Sequence, residues 1–315
     1  ICFLYMSQLI NLPVSDNHVL NIERSGNPSG IPVILLHGGP GSGSNPENKH
    51  LFDPKFFDIF IYDQRGCGQS TPTADILNNT TQLLVSDIRS ILNHFQIKKA
   101  MFVGGSWGAT LALIYAKKYP DSVLALVLRG SFLARRQDIE WFISDNGVAR
   151  LIPKKYSEFF EAINKLGPVD DMESLVNRVF SSLISNDEKL RSQAAIAWAK
   201  WSWAVLNYSF EKNIEFSIES IERIFPNVLI ELHYAKNKYF LTENILEDLG
   251  RIGQIPVTLI HGSRDVMCLP ESSWLLSKCF KNSELRILHG AGHLSNDAQI
   301  KLAMIEAIEA MKNKI

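Results

Sequence analysis

Cysteine is scarce in this chain. Four occur among 315 residues (Cys2, Cys67, Cys268 and Cys279), and no pair has C-x-x-C spacing. That excludes a disulfide-stapled scaffold and a zinc ribbon, and it favours free thiols in a reducing, cytoplasmic setting. Long apolar runs are lacking too, since no stretch approaches the ~20 residues that span a bilayer. The apolar start, residues 1–6, is short and has neither a basic flank nor a small-residue cleavage site. It is not expected to be a signal peptide, and Met6 could serve as initiator. An excess of one charge is also missing. With 32 basic and 33 acidic side chains the formal net charge is −1, so no bulk field draws in nucleic acid or an anionic membrane. What remains, 46% hydrophobic and 21% charged, is the balance of a globular protein. The length suits one large α/β domain with an inserted module, or two ordinary domains.

The chain alternates. Residues 19–23 and 33–36 read as strands, with the turn Gly26-Asn27-Pro28-Ser29-Gly30 between them. The unbroken apolar run at 33–36 suits a strand buried on both faces. Residues 57–62 form another strand, and 81–95 place Leu84, Ile88, Ile91, Leu92 and Phe95 at helical spacing. Residues 101–103 resume the sheet and 123–128 continue it. This alternation implies an α/β fold built on a mostly parallel, doubly wound sheet. After Arg129-Gly130 the pattern changes. Residues 131–250 lack buried-strand runs and are rich in helix formers and aromatics, among them Trp141, Phe142, Phe159, Trp198, Trp201 and Trp203. They are expected to form a helical cap inserted into a core domain of residues 1–130 and 251–315. Trp198 and Trp201, three apart, read as a packed helical stripe. Strands return at 257–260 and 285–288, and a helix at 297–312 closes the fold.

One segment carries chemistry. Gly104-Gly105-Ser106-Trp107-Gly108 is G-x-S-x-G, set after the apolar run 100–103 and before a helix-patterned stretch at 109–119. A serine on a sharp strand-to-helix turn needs neighbours without side chains, because backbones crowd there. The turn lifts the hydroxyl above the carboxyl end of a sheet, and this nucleophile elbow implies a serine hydrolase. A serine hydroxyl needs a base to take its proton, and the base needs an orienting carboxylate. The chain order serine, acid, histidine of α/β hydrolases selects Asp265 and His293, which follow the strands at 257–260 and 285–288. His289 reads better as a core or surface histidine. Asp248 falls in the cap and Asp297 after the histidine. In His37-Gly38-Gly39-Pro40-Gly41, glycines can turn amides toward the serine to bind an oxyanion. Gly39, with Gly38 as the alternative, and the helix-start amide of Trp107 are the expected donors. His37 is expected to be a structural hydrogen-bonder.

Together these segments resemble the proline iminopeptidases (prolyl aminopeptidases), α/β-hydrolase serine peptidases that release an N-terminal proline. The resemblance also rests on Tyr62-Asp63-Gln64-Arg65-Gly66-Cys67-Gly68-Gln69-Ser70, Asn79-Thr80-Thr81, Val127-Leu128-Arg129-Gly130 and Gly262-Ser263-Arg264-Asp265-Val266-Met267-Cys268-Leu269-Pro270. It spans residues 12–310. It implies a triad of Ser106, Asp265 and His293 and requires no metal or organic cofactor. It also implies a cap glutamate that receives the substrate amine, a position matched by Glu231 in Ile230-Glu231-Leu232-His233-Tyr234. A buried ammonium needs such a counter-charge. Two positions depart from the family pattern. Ser202 follows Trp198-Ala199-Lys200-Trp201 where a glutamate is common, and Ala235 follows His233-Tyr234 where an aromatic lines the proline pocket. Cys268 matches the family and would sit near the site as a thiol outside the chemistry.

The expected activity is that of a serine aminopeptidase acting on short peptides through an acyl-enzyme, with no nucleic-acid or membrane partner. Ser202 and Ala235 motivate an alternative with the same chemistry, a carboxylesterase or amidase of altered cap specificity. A third reading is a non-catalytic scaffold; such proteins usually lose a triad member, and none is lost here. Epoxide hydrolase or dehalogenase chemistry needs a carboxylate where Ser106 stands.

Overall fold

Where strands sit in the sheet follows their apolar content. In the computed structural model, which describes residues 7–208 and 218–315, eight strands form one sheet: β1 (Gln8–Pro13), β2 (Val19–Gly26), β3 (Ile31–Leu36), β4 (Phe57–Tyr62), β5 (Ala100–Gly105), β6 (Val123–Arg129), β7 (Val257–Gly262) and β8 (Ser283–Leu288). Cys2 and Met6 lie outside the described residues. The order is β1-β2-β4-β3-β5-β6-β7-β8. β1–β2 and β2–β4 are antiparallel, and every later pairing is parallel. Strands β4, β5 and β7 are buried along their whole length, on both faces. The polar-containing β1 and β8 take the two edges and stay partly exposed, as expected when a parallel sheet is covered on both sides.

Helices α1 (Thr81–His94), α2 (Trp107–Lys118), α8 (Glu271–Cys279) and α9 (Ala298–Met311) flank the sheet. The chain between β6 and β7 instead supplies α3 (Arg136–Ile143), α4 (Pro153–Asn164), α5 (Met172–Leu183), α6 (Glu188–Leu206) and α7 (Ile218–Lys236). These five bury an apolar cluster of their own, including Phe159, Val179, Trp198, Trp201 and Leu232. Trp201 stacks on Phe159 with ring centroids 5.2 Å apart, and its indole N–H donates to Phe142 O at 3.0 Å. Starts of these helices are fixed locally: Asp171 caps α5 through Ser174 N, and Asp187 caps α6 through Lys189 N and Leu190 N.

Polar ties fasten α7 to the sheet domain. Tyr234 Oη donates to Asn79 Oδ1 at 2.8 Å, and His233 Nε2 lies 2.8 Å from Asn79 O. Asn79 Nδ2 in turn donates to Arg65 O and Asp75 O. Thr81 Oγ1 donates to Tyr239 O at 2.6 Å just beyond α7. Arg65 is itself clamped: its guanidinium makes paired bonds of 2.6 and 2.7 Å to the Asp87 carboxylate of α1 and a third bond to Asn78 O, with both side chains buried. Removing one partner of such a pair strands a charge in the interior, at a cost of about 3–5 kcal/mol. Asp87→Ala is therefore expected to lower unfolding stability by about that amount in urea titration. A loss below about 1 kcal/mol would show that Asp16, whose carboxylate lies 3.4 Å from Arg65 Nη1, takes over the charge.

Candidate functional site

Register brings the chemistry together. Leu36 of β3 pairs with Gly104 of β5, so the loops leaving these strands emerge side by side. Gly262 of β7 pairs with Leu288 of β8, which does the same for the loops carrying Asp265 and His293. All four loops leave carboxyl ends of parallel strands, where α/β sheets place their ligands.

Ser106 stands between β5 and α2 with φ 55° and ψ −123°. A non-glycine residue there is strained by roughly 1–3 kcal/mol, and it persists only because its surroundings hold it. Gly108 shows how tight they are: a Cβ there would collide with the carbonyls of Leu36 and His37. Trp107 is the first residue of α2, so its amide has no acceptor within the helix. Gly39, at φ +107°, turns the chain just after β3, and a Cβ there would lie 2.7 Å from Ser42 N. The expected structural role of His37 holds. Its Nε2 accepts from Gln64 N at 3.0 Å, Gln64 Nε2 donates to His37 O, and Trp107 Nε1 donates to Gln64 Oε1. Burial keeps the His37 imidazole below its usual pKa.

His293 Nδ1 lies 2.7 Å from Asp265 Oδ2, and both side chains are buried. The other carboxylate oxygen accepts from Met267 N at 3.0 Å and Cys268 N at 2.9 Å. A second histidine, His261, brings Nε2 within 3.2 Å of Asp265 Oδ2. Burial alone would raise the carboxyl pKa. The His293 imidazole and hydrogen bonds from His261 and His293 outweigh that and hold it well below the carboxylate range. Arg129, at the end of β6, donates to His293 O at 2.7 Å and so fixes the loop carrying the imidazole. Neither His261 nor Arg129 was singled out in the sequence for a site role. The available signal was weak: Arg129 ends a family-like segment, and His261 precedes the acid by four residues on the same strand end.

Ser106 and His293 line one cavity of about 290 Å³ together with Gly39, Ser202 and Glu231. Among the described residues no hydrogen bond joins the Ser106 hydroxyl to the imidazole; the polar neighbour of Oγ is Cys268 Sγ at 3.9 Å. Such contacts commonly tighten only around substrate, and serine Oγ moves by rotation about a single bond. Burial pushes the Cys268 thiol well above its usual range, so at neutral pH it is a packed thiol and not a thiolate. A smaller recess of about 50 Å³ connects Ser106 with Phe142, Trp198, Glu231, Ala235 and Tyr239. A larger concavity of about 940 Å³ lies between α4 and α6, but it contains none of Ser106, Asp265 and His293. Chemistry, not volume, locates the site.

A family model for the alpha/beta hydrolase fold matches residues 31–298, and the chain belongs to that family. An alpha/beta fold family hydrolase from Bacillus anthracis str. Sterne shares the fold with a TM-score of 0.63 at 18% identity, over 99% of each chain. Among curated relatives, a proline iminopeptidase of Arabidopsis thaliana is 41% identical over 308 residues, covering 96% of this chain and 79% of its own length. A probable proline iminopeptidase of Leptolyngbya boryana is 38% identical, covering 95% and 92%. Within the alpha/beta hydrolases, the chain belongs with these relatives. Among the described residues no helix is long and apolar enough to cross a membrane.

Glu231 is the electrostatic opposite of Asp265. Burial pushes its carboxyl up to about 7, with the Trp198 indole nearby pulling the other way. Trp198 Nε1 stops short of a hydrogen bond, and like Ser202 Oγ it is buried without a partner. The folded state therefore holds the Glu231 proton more tightly than the unfolded state does. Stability attributable to this group falls as pH rises from about 4.5 to about 7 and stays low above it. Glu231→Gln is expected to stabilise the fold by roughly 2–3 kcal/mol at pH 8 and by less than about 1 kcal/mol at pH 5. Urea titrations at the two pH values check this, and an equal effect at both would contradict it.

Proposed function

We propose that the protein is a serine aminopeptidase that releases N-terminal proline, or another small residue, from short peptides. One observation carries the reading: Ser106, His293 and Glu231 border a single cavity, with Asp265 bonded to Nδ1 of His293. In this reading Ser106 Oγ attacks the scissile carbonyl while His293 Nε2 takes its proton. Asp265 holds the ring orientation and offsets the imidazolium charge. The amides of Trp107 and Gly39 stabilise the oxyanion, each worth about 3 kcal/mol. His293 then hands its proton to the leaving amine, and water, deprotonated by the same histidine, hydrolyses the acyl-enzyme.

Glu231 supplies the charge for the substrate's ammonium. A carboxylate that is costly to bury empty becomes favourable when a cation arrives. The small recess beside it suits a small N-terminal side chain, with Phe142 and Tyr239 as apolar walls. Residues 131–250 act as a cap that restricts entry to short substrates. The names of the curated relatives support the same substrate class. Free Cys67, Cys268 and Cys279 fit a reducing, cytoplasmic compartment. Ser202 and Ala235 favour one second reading, an esterase or amidase with relaxed demand for an N-terminal amine: position 202 in the cavity wall then carries a hydroxyl where a second glutamate would grip the amine harder.

A panel of prolyl arylamide, alanyl arylamide and a short acyl ester separates the two. Prolyl release is expected to dominate, and Ser106→Ala is expected to lower it by a factor on the order of 10³ or more. Ester turnover without measurable prolyl release would reject the aminopeptidase reading. Because Ser202 Oγ has no partner in the cavity wall, Ser202→Glu is expected to raise kcat/KM for the prolyl arylamide by roughly tenfold, the worth of one charge-assisted bond. No gain, or an equal gain on the ester, would show that position 202 does not face the amine.

A further inference from the structure

We infer that His261 is a positioning residue for the Ser106–His293 chemistry, acting through Asp265. The inference rests on the proposed reading above and adds a member that reading does not use. His261 is fully buried near the end of β7. Its Nε2 sits 2.8 Å from Cys268 O and 3.2 Å from Asp265 Oδ2. Both neighbours are acceptors, so Nε2 must carry a proton; the opposite tautomer would set a lone pair against a carbonyl and a carboxylate. Nδ1 lies 2.7 Å from Ser273 Oγ of α8, and that hydroxyl is 3.2 Å from Ser131 Oγ just beyond β6. The ring is thus held from β7, α8 and the β6 end, with its N–H shared between Cys268 O at 2.8 Å and the acid at 3.2 Å.

The consequence lies in the count of donors. An ionised carboxylate offers about four acceptor sites. Asp265 receives Met267 N, Cys268 N, the His293 ring and the His261 ring. Without the fourth donor, Oδ2 has only His293 on that side, and the carboxylate is free to pivot about the two backbone amides. Because Oδ2 serves both rings, a pivot moves the imidazole that must meet Ser106. The charged or titratable groups that face this cluster are Asp265 and Cys268 on the β7 loop, His293 on the β8 loop and Arg129 on β6. Of these, Arg129 uses Nη1 on His293 O and makes no hydrogen bond to Asp265 among the described residues.

Two substitutions separate positioning from mere packing. In His261→Gln the amide nitrogen reaches the place of Nε2 and keeps a donor for Asp265. In His261→Asn the amide reaches only the place of Nδ1, so Ser273 keeps a partner and Asp265 loses one. Melting temperatures, kcat and KM on both a prolyl arylamide and an acyl ester, and the proton resonance of the His293 ring hydrogen-bonded to Asp265 are measured for each. His261→Asn is expected to lower kcat 10- to 100-fold on either substrate with KM within twofold, and to shift or broaden that resonance. His261→Gln is expected to stay within about fivefold of wild type and to restore the signal. Wild-type kcat and an unmoved resonance in His261→Asn would overturn the inference. So would a loss in His261→Gln as deep as in His261→Asn. A wild-type protein that turns over neither substrate would instead refute the proposed activity, while the resonance still reports on His261.

Discussion

A carboxylate sealed from solvent has to be paired or neutralised, and Asp265 is paired on every side. Two backbone amides, two imidazoles and the field of Arg129 surround it. The amides come from its own loop, so the loop conformation after β7 and the ionisation of the side chain depend on each other. The imidazole of His293 crosses from the neighbouring loop, and the pairing of Gly262 with Leu288 brings that loop alongside. Much of the sheet's topology can be understood as the means of delivering these donors. β6 contributes Arg129, β7 contributes His261, and β8 leads into His293. Across the sheet, β5 delivers Ser106 on a turn tied to β6 by Ser106 N to Arg129 O and packed tightly against the end of β3 at Gly108.

The helices above the sheet have the contrasting electrostatics. Glu231 is half-buried with a single weak neighbour, and desolvation pushes its carboxyl up to about 7. A group so poorly satisfied costs stability in the folded state. Its position is nonetheless secured at considerable structural expense in hydrogen bonds. His233 and Tyr234, two and three residues later on α7, both bind Asn79, which leans on the buried Arg65–Asp87 pair. The charge that strains the fold therefore sits on a helix that is firmly tied down. That combination is typical of a group retained for binding.

Much of this was legible in the chain. The strands at 33–36 and 101–103 were visible because a doubly covered parallel strand needs uninterrupted apolar residues, and those at 57–62 and 257–260 because a single polar residue leaves such a run recognisable. The elbow was visible because sterics leave few choices beside Ser106, and the acid and histidine because loops after late strands have a fixed order. β1 escaped notice: residues 8–13 form a half-exposed edge strand, and exposure removes the selection for apolar side chains. His261 escaped for a different reason. A lone histidine at a strand end has no period or spacing, and only the fold brings Ser131, Ser273 and Asp265 around it. Glu231 lay between. Its position was suggested by resemblance, but nothing in its helix segment signalled burial, which arises from the packing of α7 against α5 and α6.

The central claim is that the hydroxyl of Ser106 is the nucleophile and that the imidazole of His293 activates it. Mass-spectrometric mapping of the site labelled by a fluorophosphonate at neutral pH tests this most directly. One adduct per chain, on the peptide bearing Ser106 and lost in His293→Ala that still folds, is the result the geometry requires. An adduct on another side chain, or none on wild-type protein, would contradict it.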